Sequence, residues 1–229
     1  MVPLLIAWLA FDAKVATATS LAAIIVTASV GVIVHGSLGN VAWSYALLIG
    51  IPALAGLLIG LQVKDRLSSR TLTLAFAGLL VAVAVWLAFE PTAAESSEPS
   101  VSPGGAVAVI ALGVLAGGLA ALFGVGGGIL FVPALALIVG LPQLTAEGAS
   151  LLAIIPVSVL GSWRQNRAGL IRWRDAMTMG AASAATAVAG ALVADVTPPQ
   201  TLRILFSVLV LFTAIQLVRR ASPAGAARA

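Results

Sequence analysis

The chain has 229 residues, of which 61% are hydrophobic and only 9% are charged, and its mean hydropathy is +1.13. Soluble domains carry about 25% charged residues, so this composition excludes an ordinary soluble protein and indicates one embedded in a lipid bilayer. The chain contains no cysteine and one histidine, which excludes thiol chemistry and argues against a protein-held zinc or haem. The net charge of +4 lies in short segments between apolar runs, so it indicates membrane orientation and not nucleic-acid binding.

Six apolar stretches of about 20 residues are each long enough to cross a bilayer. We predict full spans at residues 15–34, 42–63, 71–89, 146–163, 175–194 and 201–218. No charged segment followed by a small-residue cleavage site opens the chain, so the sequence predicts no signal peptide.

A seventh apolar run, residues 106–141, contains the motif Gly124-Val125-Gly126-Gly127-Gly128. Each glycine costs about 1 kcal/mol relative to alanine inside a helix, so the motif predicts that the helix breaks here. In lipid, a broken helix is tolerated only where it is buried in protein or lines a watery cavity. The break is therefore the candidate binding site.

The two halves of the chain align without a gap at an offset of 130 residues. Val2-Pro3 matches Val132-Pro133, Ile24-Ile25 matches Ile154-Ile155, and Trp43 matches Trp173. Such a long register predicts a duplication. The first copy begins directly before Val2 and lacks a counterpart of the glycine motif. Either the chain starts late, which we expect, or the protein has lost an element that its second half retains.

Charge patterning predicts the topology. Basic residues cluster in segments 64–70, 164–174 and 219–228, whereas segment 90–105 is acidic and rich in Ser, Pro and Gly. All three clusters fall on one side of the membrane only if the glycine-broken run is a re-entrant hairpin, which enters and leaves the bilayer on the same side. The predicted arms of this hairpin have about 13 to 18 residues, which is short for a bilayer core of about 30 Å.

The predicted fold is therefore an all-α polytopic membrane protein of two inverted repeats. Each repeat is a glycine-broken re-entrant hairpin plus three transmembrane helices, with the first hairpin truncated. The predicted parts are residues 1–89 as the first repeat, 90–105 as an external acidic linker, 106–220 as the second repeat and 221–229 as a cytoplasmic tail.

The candidate substrate-binding residues are Gly124, Gly126, Gly127 and Gly128. Their backbone N–H groups can converge on an anion, and a helix that resumes at about Gly128 points its positive N-terminal end at the break. Close helix packing explains the same glycines equally well, and a GxxxG spacing in residues 113–117 favours it. Both interpretations can hold together.

Hydroxyl side chains are the second set of candidates. Ser20 and Ser150 are equivalent positions of the two halves, and Thr19 precedes Ser20. Such hydroxyls often bond back to their own helix, but inverted partners could also donate to one central anion. None of the eight carboxylates lies inside a predicted span, so the sequence does not support proton coupling through a buried carboxylate.

The glycine motif is followed by Val132-Pro133, then by the segments at residues 146–151 and 169–174. With this ordered set, the sequence resembles the sulfite exporter TauE/SafE family of membrane transporters. Two departures are Ala149, where the family often has Thr, and the missing glycine motif of the first half. The resemblance implies a duplicated helical permease in the bacterial inner membrane that moves sulfite, sulfonates or related small organosulfur anions.

We therefore predict a transporter or facilitator, with export the expected direction. Its expected partners are a small anion and the lipid bilayer, with no nucleic acid, and a homodimer is an allowed assembly. The alternative is a membrane scaffold or assembly subunit that does not transport. No nucleophile–base set and no cluster of metal ligands is found in the sequence, so we predict no catalytic residues, no metal, no cofactor and no enzyme activity.

Overall fold

The computed structural model describes residues 2–7, 11–89, 102–195, 211–212, 214–216 and 218–219. The helices defined within these residues are α1 (Val2–Ala7), α2 (Ala13–Ser37), α3 (Trp43–Arg66), α4 (Ser69–Phe89), α5 (Pro103–Phe123), α6 (Gly128–Leu137), α7 (Gln143–Arg167) and α8 (Trp173–Asp195). The described part of the chain contains no strand. The predicted all-α class is confirmed.

Several helices are long and apolar enough to cross a membrane. Among the described residues these are α2, α3, α5 and residues 144–167 of α7, which confirms a polytopic membrane protein. The predicted spans at 71–89 and 175–194 fall within α4 and α8. The predicted span at 201–218 lies mostly outside the described residues, as does most of the predicted linker.

The helix boundaries repeat at the offset found in the sequence. Both α2 and α7 have 25 residues, and their first and last residues differ by 130 in number. Each helix is followed by a glycine with positive φ, 75° at Gly39 and 69° at Gly169. The next N–H in each case, that of Asn40 or Leu170, donates to the carbonyl of His35 or Gln165. The same C-terminal cap therefore ends both helices.

These two equivalent helices run antiparallel. A Cβ atom built on Gly31 would meet Leu151, near the start of α7, whereas one built on Gly161, near the end of α7, would meet Leu21 of α2. Helix α3 runs parallel to α7, because its Gly50 lies against Ala153 and its Lys64 contacts Gln165 of α7.

Helices α3 and α5 pack through a seam of glycines. A Cβ atom on Gly56 or Gly60 would overlap the backbone of α5 at Val114 or Gly118, and one on Gly117 would overlap the carbonyl oxygen of Ala53. Small residues let two backbones approach in this way. From Gly56 to Gly60 of α3 the contacted residue moves from Val114 to Gly118 of α5, so α3 and α5 are parallel. The predicted packing role of the 113–117 glycines is thus observed.

The basic clusters at 64–70 and 164–174 lie at one end of the bundle, where α2 begins and where α3 and α7 end. There the Lys14 ammonium donates to the Asp65 carbonyl at 3.3 Å, and Lys64 contacts Gln165. We call this the basic end. The charge argument predicts that these two clusters lie on the same side of the membrane, and they do lie at the same end of the bundle. Which face of the membrane this end occupies stays a prediction.

Helices α5 and α6 form the hairpin around the glycine motif. Helix α5 has 21 residues, about 31 Å at 1.5 Å per residue, so the prediction of a short first arm was wrong. The reason is its N-terminus: Pro103 starts the helix, and the Ser102 hydroxyl accepts from the N–H of Gly105 at 3.1 Å, which caps it. Helix α5 therefore begins inside the predicted 90–105 linker.

The return arm is shorter. Helix α6 has 10 residues, about 15 Å. Gly113 of α5 lies against Ile49, and Gly148 of α7 lies against Asn40, so α5 and α7 both begin at the end opposite the basic end. The chain therefore runs along α5 toward the basic end, reverses at the glycine motif and returns through α6.

Candidate functional site

The glycine motif breaks the helix as predicted. Gly124 ends α5 with a φ of 64°, and Gly126 and Gly127 have φ values of 77° and 87°. This left-handed region is costly for residues that have a Cβ atom. Three left-handed residues within four positions reverse the chain in a space too small for a loop with side chains.

The break lies between α2 and α7. A Cβ atom on Gly124 would overlap the carbonyl oxygen of Thr17. One on Gly126 would lie 3.0 Å from Ile154 Cγ2 and 3.3 Å from Ile24 Cγ2. Ile24 and Ile154 are equivalent positions of the two halves, and each stands at the middle of its 25-residue helix. The motif thus reaches the centre of the bundle.

The break carries unpaired backbone donors. Within the described part of the chain, the N–H groups of residues 125–128 donate no hydrogen bond to another backbone group or to a side chain, although Gly126 and Gly127 are buried. Buried N–H groups are paired in the great majority of cases. Helix α6 starts at Gly128, so its partial positive charge adds to these donors. The arrangement suits a small anion.

Among the predicted hydroxyl residues, Ser20 and Ser150 reach the break. The Ser20 hydroxyl donates to the Gly124 carbonyl at 2.9 Å, and both residues are buried. The Ser150 hydroxyl oxygen lies 3.7 Å from where a Cβ atom on Gly128 would stand. Ser150 is thus beside the N-terminus of α6, whereas the Ser20 proton is already used to hold the hairpin tip.

Thr19 lies elsewhere. Its side chain is fully buried and accepts from the N–H of Arg172 at 3.2 Å. This contact ties α2 to the segment that precedes α8. Thr19 therefore uses a different face of α2 from Ser20, and the structure does not bring it to the glycine motif.

A small pocket lies on the other side of the hairpin, against α4. Its lining side chains are apolar, so it offers an anion no side-chain donor. The lining residues are Leu79, Ala116, Leu119, Ala120, Val125, Gly127 and Leu130.

Sequence reasoning missed a second set of buried polar side chains, at the basic end. Lys64 is 1% exposed, although the sequence argument treated it as one of the orientation charges. Ser158, Ser162 and Gln165 of α7 are buried too. Their spacing of four and three residues places them on one helix face, and this polar stripe in an apolar helix is the signal that could have found them.

Together, the apolar helices and the broken hairpin between two antiparallel equivalent helices define an all-helical, multi-pass membrane protein. The family model described as "Sulfite exporter TauE/SafE" matches residues 1–111 and again residues 109–229. The chain belongs to the sulfite exporter TauE/SafE family.

Two similar proteins are also named as membrane transporters. A "Probable membrane transporter protein" of Xylella fastidiosa is 29% identical over 165 residues, which are 71% of this chain and 63% of that protein. One of Methanocaldococcus jannaschii with the same description is 30% identical over 170 residues, 73% of this chain and 58% of that protein. The chain thus spans about three fifths of the length of these relatives. They are named as transporters and not as enzymes. No solved structure matches the chain.

Proposed function

We propose that the protein is a transporter or facilitator that exports small sulfur-containing anions, such as sulfite or sulfonates, across the bacterial inner membrane. The observation that carries this proposal is the set of backbone N–H groups at residues 125–128, which are unpaired within the described chain at the centre of a membrane bundle. The family description, sulfite exporter, supports the substrate class.

The anion is held by the break itself. Its oxygens accept from the N–H groups of residues 125–128, and the N-terminus of α6 contributes a favourable dipole. The Ser150 hydroxyl stands next to Gly128 and adds a side-chain donor. Ser20 holds the Gly124 carbonyl, so it positions the tip and donates to the anion only when that bond opens.

Alternating access follows from the inverted arrangement that we propose for the two halves. The antiparallel course of the equivalent helices α2 and α7 supports it, because inverted repeats place equivalent helices in opposite directions around a central site. An anion leaves a cell down the membrane potential, which supplies about 2.3 kcal/mol per charge per 100 mV. Export therefore needs no proton-carrying carboxylate.

The test is anion flux through purified protein in liposomes. We expect sulfite or a small sulfonate, loaded inside, to leave faster from proteoliposomes than from empty liposomes, and faster still with a potential that is positive on the receiving side. A scaffold subunit would instead give flux equal to that of empty liposomes, no anion-dependent thermal stabilisation and a partner protein retained through purification. That combination would contradict the proposal.

The inverted topology has its own test, which the natural absence of cysteine makes direct. Single cysteines at the exposed positions Leu38, Ser68 and Ala168 are treated with a membrane-impermeant maleimide. We expect Leu38→Cys to react in intact spheroplasts, and Ser68→Cys and Ala168→Cys to react only after permeabilisation, because both lie at the basic end. Reaction of Ala168→Cys together with Leu38→Cys would exclude the inverted arrangement.

A further inference from the structure

Lys64 is a buried lysine that forms no ion pair within the described part of the chain. Its side chain is 1% exposed, contacts Gln165 Oε1 and donates to the Lys14 carbonyl at 3.4 Å. Both acceptors are neutral. An ammonium carries three donors, so one of them has no partner in the described part of the chain. Ionisable side chains buried within membrane helices are rare, and they are candidates for substrate or ion pathways.

The side chains of α7 next to Lys64 are also unpartnered. Ser158 Oγ, Ser162 Oγ and Gln165 Nε2 are buried and have no hydrogen-bond partner among the described residues. They lie on one face of α7, over about 10 Å between Ser158 and Gln165. One turn beyond Ser158 on the same face is Ile154, which packs against Gly126. The stripe therefore leads from the glycine break to Lys64.

The charges around Lys64 nearly cancel, because the carboxylates of Asp65 and Asp12 and the ammonium of Lys14 all act on it. The carboxylate of Asp12 accepts from the N–H of Lys14 and from Ser69, and Asp65 is exposed. Neither pairs with the Lys64 ammonium. The groups without a partner are one amide N–H₂ and two hydroxyls, and the Lys64 ammonium keeps one further donor beyond its two contacts. A cation combined with neutral donors is the chemistry that recognises a small oxyanion.

We propose that Lys64, Gln165 and Ser162 form a second anion site at the basic end, which receives the transported oxyanion on its way to or from the glycine break. This inference rests on the proposed function. Ser158 lies between the two sites and donates to the anion in transit. The site is distinct from the part of the break at Gly126, because Gln165 is eleven residues, about 16 Å along α7, from Ile154. It is closer to Gly124, which packs on Thr17, one turn of α2 from the Lys14 carbonyl that Lys64 contacts.

The test separates this role from a structural contact between α3 and α7. Protein in phosphatidylcholine nanodiscs is titrated with sulfite, and anion-dependent thermal stabilisation is measured beside the KM of flux in liposomes. We expect Lys64→Met to raise both the half-stabilising concentration and KM about tenfold, the loss of one charged hydrogen bond. Arg66→Met, which removes an exposed charge of the same helix, is the control and should change neither value.

Gln165→Glu is the matched variant if Lys64→Met fails to fold. The new carboxylate would pair with Lys64 and keep the α3–α7 contact while repelling an anion. We expect a protein at least as stable as the wild type that has lost anion-dependent stabilisation. A purely structural Lys64 would leave the anion response of Gln165→Glu at the wild-type level.

Different results overturn different claims. Wild-type flux with unchanged sulfite dependence in Lys64→Met and Gln165→Glu would remove the second site and leave the proposed function standing. A wild type without flux would remove both. Stabilisation by anionic lipid that needs Lys64, with no response to sulfite in phosphatidylcholine nanodiscs, would assign the site to a lipid headgroup and overturn its assignment to the free anion.

Discussion

Replacement of Gly126 by leucine is expected to reduce anion flux to the level of empty liposomes. Gly126 is buried, and already a Cβ atom there would lie 3.0 Å from Ile154 and 3.3 Å from Ile24. The further atoms of a leucine side chain must enter the space between α2 and α7. They would cover the N–H groups of residues 125–128 and remove the proposed anion cradle. Flux of sulfite from loaded proteoliposomes measures the effect.

The control for this variant is Gly39→Leu. Gly39 has nearly the same φ as Gly126, 75° against 77°, so both substitutions carry the same left-handed strain of about 1–2 kcal/mol. A Cβ atom on Gly39 meets nothing within 4 Å. We expect wild-type flux in Gly39→Leu. If Gly126→Leu does not yield folded protein, Gly126→Ala in the same assay should still reduce flux, and wild-type flux in a folded Gly126 variant would refute the cradle.

Replacement of Gly117 by leucine is expected to have the largest effect on stability. A side chain at Gly117 would collide with the backbone carbonyl of Ala53 in α3, which cannot move aside as a flexible side chain can. Overpacking in a well-packed core costs typically 1–3 kcal/mol, and a backbone collision should cost about 3 kcal/mol or more. We expect little monodisperse protein in detergent and a strongly lowered midpoint of thermal unfolding.

Gly104→Leu is the control on the same helix. Gly104 lies in the first turn of α5, and a Cβ atom there meets nothing within 4 Å. Like Gly117→Leu, this substitution replaces a glycine of α5 by leucine, but the new side chain collides with nothing. The unfolding midpoint should therefore stay near that of the wild type. Equal destabilisation by both substitutions would show that the glycine seam between α3 and α5 does not determine stability.

The sequence predicted those parts of the fold that depend on composition and on local backbone preference. Apolar length predicted α2, α3 and α7, and the glycine motif predicted the break, because helix propensity and the left-handed region act within a few residues. The start of α5 was missed because the Ser102 cap and Pro103 lie in a stretch whose Ser, Pro and Gly content is typical of a linker.

The candidate site was harder to predict, because its contacts join distant parts of the chain. Ser20 and Gly124 are 104 residues apart. The local sequence around Ser20 therefore cannot indicate that its hydroxyl donates to a carbonyl at the break. Thr19 and Ser20 are neighbours with the same hydroxyl chemistry, but they lie on different faces of α2 and contact different segments. Burial of Lys64 depends on the packing of α7 against α3, which hydropathy does not report.

The two isoleucines at Gly126 have a consequence for the membrane as a barrier. Ile24 and Ile154 come from opposite halves and meet the hairpin tip at mid-length, so this contact is made of branched hydrocarbon. Hydrophobic constrictions in membrane proteins hold back hydrated ions by dewetting. If the protein is the proposed transporter, we expect this contact to limit leakage of other ions, and we expect α2 and α7 to move apart there when the anion passes.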